Sequence, residues 1–183
     1  MAKNYTCQGI VLKRINLGEA DRLVTLFTLE QGKVVALAKG VRKLTSSRAG
    51  ASEPAAESRL YLVKGRTWDL LTQAQLLDSH HQAHLNLTRM TQTLQILEIV
   101  DRLTVPEAPH PDVYQLLQQT LNHLAVNGTQ KTYLLEQIRL ILQALGFTYD
   151  KVFTEAKLKD YLEDLANQPL RTKAYLTPPG GGL

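Results

Sequence analysis

Residues 22–38, which read RLVTLFTLEQGKVVALA, decide the fold. Two runs rich in β-branched and aliphatic side chains flank a short polar turn at residues 30–33. This pattern predicts a β-hairpin whose strands cover residues 22–29 and 34–38. Gly32 lies in the turn, where a residue without a Cβ atom can take the positive φ angle that a tight turn requires.

Three further runs around the hairpin have the same strand-like composition. They cover residues 7–15, 58–63 and 68–77 and are bounded by turn signals. Five short strands in about 75 residues, with a longer irregular link between the third and the fourth, predict an OB-fold β-barrel. An SH3-like barrel is the main alternative. The continuous apolar runs favour a barrel that closes around a packed interior.

After Asp78 the apolar residues recur with the helical period of about 3.6 residues. Proline, glycine and capping residues divide this part of the chain into four amphipathic segments. The segments cover residues 84–104, Pro111 to residues 127–128, Thr129 to Gly146, and Thr154 to just before Pro169. We therefore expect an all-α region to follow the barrel.

The predicted class is α+β, with an OB-fold domain at residues 1–79, an α-helical domain at 80–176 and a disordered tail at 177–183. The charges are distributed unevenly along the chain. Residues 1–66 carry twelve Lys/Arg against five Asp/Glu, and residues 67–183 carry nine against twelve, although the net charge of the chain is only +4. A basic module of this kind is typical of a protein that binds a polyanion.

Composition excludes several classes of protein. With 44% hydrophobic and 21% charged residues, the chain has a globular composition. The single cysteine, Cys7, excludes an internal disulfide and a cysteine-based zinc site. The N-terminus lacks the apolar core of a signal peptide, and no apolar run approaches the ~20 residues of a membrane helix. We therefore expect a cytoplasmic protein with no membrane partner.

The stretch that follows the third predicted strand, residues 38–48, holds four cations and no acid. Lysine and arginine on such a loop and at nearby strand ends can contact phosphates without reading bases. The predicted DNA-binding residues are Lys13, Arg14, Arg22, Lys39, Arg42, Lys43 and Arg48. The alternative is a solvated surface that only keeps the protein soluble.

Aromatic side chains in the barrel could stack on the bases of a single strand, and each could equally belong to the core. These side chains are Tyr5, Phe27, Tyr61 and Trp68. The sequence leaves the choice open.

His80, His81 and His84 form the most metal-like cluster. His80 and His84 would share a helical face at i, i+4, a spacing that zinc enzymes use. No glutamate follows the first histidine, and Asp78 is the only nearby carboxylate. We therefore expect a surface cluster at a helix start rather than a metal site. The sequence contains no phosphate-binding glycine loop and no catalytic constellation, so we expect no enzymatic activity, metal or cofactor.

Several segments carry a resemblance to one family. They are GIVLKR at 9–14, LGEADRLVTLFT at 17–28, GK at 32–33, AKGVRK at 38–43, SR at 47–48, LYLVKGR at 60–66 and LTQAQLLD at 71–78. Together they resemble the N-terminal part of the bacterial recombination mediator family RecO. The resemblance is specific across residues 8–78 and looser through the helices, where LQALGF at 142–147 is similar to the stretch before the family's zinc module.

The resemblance implies an OB-fold that binds single- and double-stranded DNA, with a helical domain behind it. It implies a non-enzymatic mediator that anneals complementary strands and, with RecR, helps to load RecA onto strands coated with single-strand DNA-binding protein. In the family, the helical domain receives the C-terminal tail of single-strand DNA-binding protein. Residues 147–175 contain no cysteine, so the chain departs from the members that carry a four-cysteine zinc module.

Two other functions are compatible with the residues. The first is a protein-interaction adaptor, in which the helical domain docks a partner peptide and the barrel is only a support. The second is a metal hydrolase at His80 and His84, which predicts stoichiometric zinc.

Overall fold

The structure is a computed structural model that describes residues 3–127, 131–147, 155–167 and 170. Within these ranges, five strands come first: β1 Asn4–Leu17, β2 Asp21–Thr28, β3 Gly32–Ala38, β4 Glu57–Val63 and β5 Asp69–Asp78. The α-helices that follow are α1 Leu87–Leu103, α2 Pro111–Asn127, α3 Lys131–Ala144 and α4 Glu155–Ala166. Short 3-10 turns at Gly50–Ser52 and His81–Leu85 precede β4 and α1. None of the described helices is long and apolar enough to span a lipid bilayer.

The strands close into a barrel in the order β1-β2-β3-β5-β4, with β4 pairing with β1. Neighbouring strands are antiparallel except β3 and β5, which are parallel. A closed five-stranded barrel followed by helices is the OB-fold arrangement that the sequence predicted, and this prediction is confirmed.

The turn between β2 and β3 has the predicted conformation, because Gly32 adopts φ +70°. The hydroxyl of Thr28 accepts a hydrogen bond from the amide of Gln31 at 3.0 Å and donates to the carbonyl of Gly32 at 2.9 Å. A second reason for glycine at position 32, which the sequence does not reveal, is the close approach of another part of the chain. A Cβ atom there would lie 2.2 Å from the carbonyl oxygen of Ala108, in the link between α1 and α2. The barrel therefore touches the helical region closely at this turn.

Strand β1 is longer than predicted because it changes its partner along its length. Residues 4–10 pair with β4, and residues 9–17 pair with β2. An irregularity between Val11 and Lys13 marks the changeover, and bulges of this kind bend a strand. Val11 lies in the core of the barrel, whereas Leu12 packs with the helices.

Two apolar cores share the wall of the barrel. The interior core is formed by Cys7, Val11, Val24, Leu26, Ala36, Ala38, Val41, Ala56, Leu60, Leu62 and Leu71. The second core lies between the outer wall and the helices, where barrel residues such as Ile10 and Phe27 pack with apolar side chains of α1, α2, α3 and α4. The helices are thus packed on the barrel, and the domain boundary at residues 79 and 80 stays a prediction.

The start of α1 is fixed by a side-chain cap. The side-chain oxygen of Asn86 accepts hydrogen bonds from the amides of Thr88 at 2.9 Å and Arg89 at 3.2 Å. A cap of this type satisfies amide groups that have no partner in the first helical turn. The helix therefore begins at Leu87 rather than at the predicted residue 84.

The end of α3 agrees with the prediction. Gly146 adopts φ +81°, and the amide of Phe147 donates to the carbonyl of Leu142 at 3.0 Å, as in glycine-terminated helices. The predicted caps Thr129 and Thr154, the predicted stop at Pro169 and the predicted disordered tail at 177–183 lie outside the described residues.

A buried carboxylate joins the barrel to α2. Oε1 of Glu57, which is only 4% exposed, accepts hydrogen bonds from Gln8 at 2.7 Å, Tyr114 at 2.9 Å and Gln118 at 2.7 Å. Burial, together with the negative charge of Glu57, raises the pKa of the Tyr114 phenol. The barrel and α2 are therefore held together by polar contacts as well as by the apolar core.

Candidate nucleic-acid interface

Residues 38–48, the cationic loop, lie against the turn between β1 and β2. The amide of Gly40 donates to Oδ1 of Asp21 at 2.7 Å, and the amide of Arg42 donates to the carbonyl of Ala20 at 2.9 Å. Gly40 adopts φ +65°, a conformation that glycine takes without steric cost. The side chain of Val41 is fully buried in the core of the barrel. The loop is therefore anchored to one end of the barrel.

Two arginines of the cationic loop bind main-chain carbonyl groups. Nη1 of Arg42 donates to Gly18 at 2.8 Å. Arg48 donates through Nη1 to Leu71 at 2.5 Å and through Nη2 to Lys39 at 2.7 Å. A neutral acceptor leaves the charge of the guanidinium group uncompensated. Both arginines therefore stabilise the loop and still contribute positive potential to this surface.

The lysines of the cationic loop face solvent. The side chains of Lys39 and Lys43 are exposed, and neither forms a hydrogen bond or ion pair within the described part of the chain. Leu44, next to Lys43, is also fully exposed. Free ammonium groups on an anchored loop are suited to contact phosphates.

The three predicted cations outside the loop are engaged in ion pairs. Nζ of Lys13 lies 2.6 Å from Oδ2 of Asp101 on α1. Arg14 and Arg22 share Glu53, with Nη2 of Arg14 at 3.1 Å and Nη1 of Arg22 at 2.8 Å from its two carboxylate oxygens. Their positive charges are therefore partly compensated within the protein.

The seven predicted cations thus form three groups. Four lie in the cationic loop. Arg14 and Arg22 come together at Glu53, which directly follows the 3-10 turn Gly50–Ser52. Lys13 belongs to neither group, because it is paired with Asp101 on α1. Of the seven, Lys39 and Lys43 are the two whose side chains have no hydrogen bond or ion pair among the described residues.

Sequence reasoning missed an exposed cation on β4. Along Glu57–Val63 the burial alternates, so Arg59 and Tyr61 face outward while Leu60 and Leu62 face the interior. Arg59 forms no side-chain hydrogen bond or ion pair among the described residues. The alternation of ESRLYLV with period two carries this signal and could have identified the residue.

The four barrel aromatics fall into two classes. Phe27 is fully buried beside Tyr114, with ring centroids 6.3 Å apart, and the hydroxyl of Tyr5 donates to Asp69. In contrast, Tyr61 is 37% exposed and Trp68 is 44% exposed. Tyr61 and Trp68 can therefore offer a ring to a ligand without rearrangement of the core.

The expectation of a histidine cluster on the surface is wrong for His80. This residue adopts φ +46° and lies before the 3-10 turn His81–Leu85 rather than on a helix. Its ring is 2% exposed and lies 2.8 Å from the carbonyl oxygen of Ala55 and 3.2 Å from Oδ1 of Asn122. His80 therefore links the barrel to α2. Across the residues that the structure describes, no group of three His, Cys, Asp or Glu side chains could hold a metal ion.

Comparisons with known proteins place the chain in one family. The family model described as "Recombination protein O N terminal" matches residues 1–80, and the model described as "Recombination protein O C terminal" matches residues 84–148. The first match corresponds to the barrel and the second to α1, α2 and α3.

Curated relatives give the same result. The chain is 39% identical over 132 residues to the DNA repair protein RecO of Gloeothece citriformis, covering 72% of this chain and 47% of the relative. It is 38% identical over 143 residues to the DNA repair protein RecO of Heliobacterium modesticaldum, covering 78% and 52%. The chain spans about half the length of these relatives. Because two models of one family match successive parts that make up most of the chain, this protein belongs to the recombination protein O (RecO) family.

Proposed function

We propose that this protein acts in DNA repair as a non-catalytic recombination mediator that binds single- and double-stranded DNA. The observation that carries the proposal is the cationic loop, in which Lys39 and Lys43 are exposed on a main chain anchored to the barrel. An anchored loop loses less conformational entropy on binding than a mobile one. Family membership supports the choice of DNA as the polyanion, since the curated relatives carry the name DNA repair protein RecO.

Annealing of complementary strands follows from contacts of this kind. Lysine and arginine side chains bind phosphates and leave the base edges free to pair. All seven cations predicted from the sequence remain candidates, and the geometry orders them. Lys39 and Lys43 come first because their side chains have no partner among the described residues, and the ion-paired Lys13, Arg14 and Arg22 come last.

A salt titration tests the proposal. If roughly four to six phosphates are neutralised, the logarithm of the affinity for a fluorescent single strand falls against the logarithm of the salt concentration with a slope of about −3 to −4. A flat salt response, or no binding at low salt, would contradict DNA binding through the cationic loop.

For the partners, we propose RecR, the C-terminal tail of single-strand DNA-binding protein and, indirectly, RecA. An apolar surface on the helical side supports docking of an apolar tail. Nη1 of Arg89 donates to the carbonyl of Ala125 at 3.0 Å, which brings the start of α1 to the end of α2. Leu85, Leu87 and Val126, close to these two residues in sequence, are strongly exposed.

The same apolar side chains favour the second candidate function, an adaptor whose helical domain docks a partner peptide. Two pairs of substitutions distinguish the functions. The variant Lys39→Glu with Lys43→Glu abolishes annealing and leaves capture of the tail peptide unchanged, if DNA binding is the function. The variant Leu87→Asp with Val126→Asp has the opposite effect. Annealing that survives the first variant favours the adaptor.

A further inference from the structure

A groove lies on the outer face of β1, β4 and β5, close to the end of the cationic loop, because Arg48 of the loop donates to the carbonyl of Leu71, which directly precedes the groove residue Thr72. Its lining includes Asn4 and Thr6 on β1, Tyr61 on β4, and Thr72 and Gln73 on β5. The groove has a volume of about 310 Å³, near the lower end of the range for small-ligand clefts.

The register of the sheet places an exposed ring at the centre of this groove. Tyr61 on β4 pairs with Thr6 on β1 and with Gln73 on β5, so the three side chains form one row on the outer face. In the next row, Arg59 pairs with Gln8 and Gln75. The face therefore presents a phenol ring beside hydroxyl and carboxamide groups. One row away lies the guanidinium group of Arg59, which has no partner among the described residues.

These groups match the chemistry of an unpaired nucleobase and its phosphate. An aromatic ring stacks on any base, and a carboxamide both donates and accepts hydrogen bonds, as base edges do. A guanidinium group binds phosphate. Among the residues that the structure describes, no acidic side chain lines the groove. A base within a duplex has both faces stacked on its neighbours and must leave the helix before it can lie on Tyr61.

We propose that this groove holds an unpaired base of single-stranded DNA, stacked on Tyr61 and hydrogen-bonded by Asn4, Thr6 or Gln73, with Arg59 on the adjoining phosphate. The barrel then has two kinds of DNA contact. The cationic loop binds the phosphates of single strands and duplexes alike, while the neighbouring groove selects single strands. The inference rests on the proposed DNA-binding function and adds a base-dependent site to it.

The test compares two single strands of equal length, oligothymidylate and a strand with abasic sites throughout, by fluorescence anisotropy. Both carry the same phosphates, but only the first carries bases. The wild-type protein binds oligothymidylate roughly 5- to 100-fold more tightly. Tyr61→Ala removes this preference, and Tyr61→Phe keeps it because the ring remains. Tyr61→Thr, which retains a β-branched strand residue, replaces Tyr61→Ala if the alanine variant does not fold.

Two controls separate this inference from the proposed function. Lys39→Gln with Lys43→Gln weakens binding of both strands and leaves the preference for bases intact. Leu77→Ala removes an exposed side chain of β5 that does not line the groove, and it changes neither affinity. If the wild-type protein binds both strands equally well, the base-binding role of the groove is wrong, but DNA binding by the cationic loop is unaffected. The same conclusion follows if Tyr61→Ala lowers the affinity for both strands by the same factor. Failure of the wild-type protein to bind either strand overturns the proposed function as well.

Discussion

Nζ of Lys13 lies 2.6 Å from Oδ2 of Asp101, so a barrel cation that the sequence suggested for DNA binding is paired with α1. A second barrel lysine meets the same residue. Nζ of Lys33 lies 3.6 Å from Oδ1 of Asp101 and also donates to its main-chain carbonyl. Burial of Lys33 lowers the pKa of its ammonium group, although the carboxylate of Asp101 opposes this effect. Asp101 thus links α1 to both β1 and β3.

We expect Asp101→Asn to destabilise the attachment of α1 to the barrel. The substitution keeps the size of the side chain but removes the charge that compensates two lysines, of which Lys33 is only 14% exposed. The expected loss in the free energy of unfolding is about 1–3 kcal/mol, measured by urea denaturation.

A matched control for this variant lies on α3. Nη1 of Arg139 lies 2.9 Å from Oε2 of Glu136, whose carboxylate is half exposed. Glu136→Gln removes an acid from an exposed pair, so the free energy of unfolding changes by less than about 1 kcal/mol. Equal effects of Glu136→Gln and Asp101→Asn would show that the pairs at Asp101 are no stronger than a surface ion pair.

Free and paired lysines should differ in their effect on DNA binding. We expect Lys39→Gln with Lys43→Gln to reduce the magnitude of the salt slope for single strands by about 1.4, since each lost phosphate contact accounts for about 0.7. Lys13→Gln should change the slope less, because this ammonium group is already paired with Asp101. Fluorescence titrations at several salt concentrations measure all three slopes. A larger change for Lys13→Gln would place the DNA path along α1.

Local signals explain why much of the fold could be predicted from the sequence. The hairpin at Gly32 and the helix end at Gly146 each depend on one residue and its immediate neighbours, so a short window of sequence contains the cause. The runs rich in β-branched and aliphatic side chains likewise predicted the strands. The length of β1 escaped prediction because its two halves are held by different partners, β2 and β4.

The state of the candidate cations could not be predicted because it depends on residues distant in the chain. Lys13 and Asp101 are 88 positions apart, and Arg22 and Glu53 are 31 positions apart. His80 shows the same limitation. Its partners Ala55 and Asn122 lie 25 and 42 positions away, so its burial follows from the packing of α2 on the barrel.

Two glycines with positive φ angles allow a test of the contact between the barrel and the helical region. Gly32→Ala introduces a Cβ atom 2.2 Å from the carbonyl oxygen of Ala108 and retains a strained φ of +70°. We expect a loss of about 3 kcal/mol or more in the free energy of unfolding. Gly18→Ala is the control, because its φ is +56° but nothing lies within 4 Å of the added Cβ atom. It should cost only the conformational strain, about 1–2 kcal/mol. Similar losses in the two variants would argue against the close approach of Ala108.

The hydrogen bond from Tyr114 to Glu57 predicts a loss of stability in alkaline solution. Burial, followed by the negative charge of Glu57, raises the pKa of the Tyr114 phenol above its ordinary value of 10.0. The phenol therefore stays protonated in the folded protein at a pH at which it ionises in the unfolded chain. Its contribution is complete below about pH 10 and falls above it by at most about 1.4 kcal/mol per pH unit. Tyr5, whose pKa is raised by burial and by Asp69, adds a loss of the same sign.

Tyr114→Phe separates the contribution of this phenol from the rest of the alkaline loss. At about pH 8 the variant should be less stable by roughly 1–2 kcal/mol, because Glu57 loses one of its three hydrogen-bond donors. Between about pH 9 and pH 11 its stability should fall less steeply than that of the wild-type protein, since one ionising group has been removed. Urea denaturation across this range measures both quantities. Tyr61→Phe is the control, because the phenol of Tyr61 forms no hydrogen bond among the described residues. If Tyr114→Phe followed the alkaline profile of the wild-type protein, the phenol would have to ionise equally in the folded and unfolded states, and its hydrogen bond to Glu57 would not contribute to the packing of α2 on the barrel.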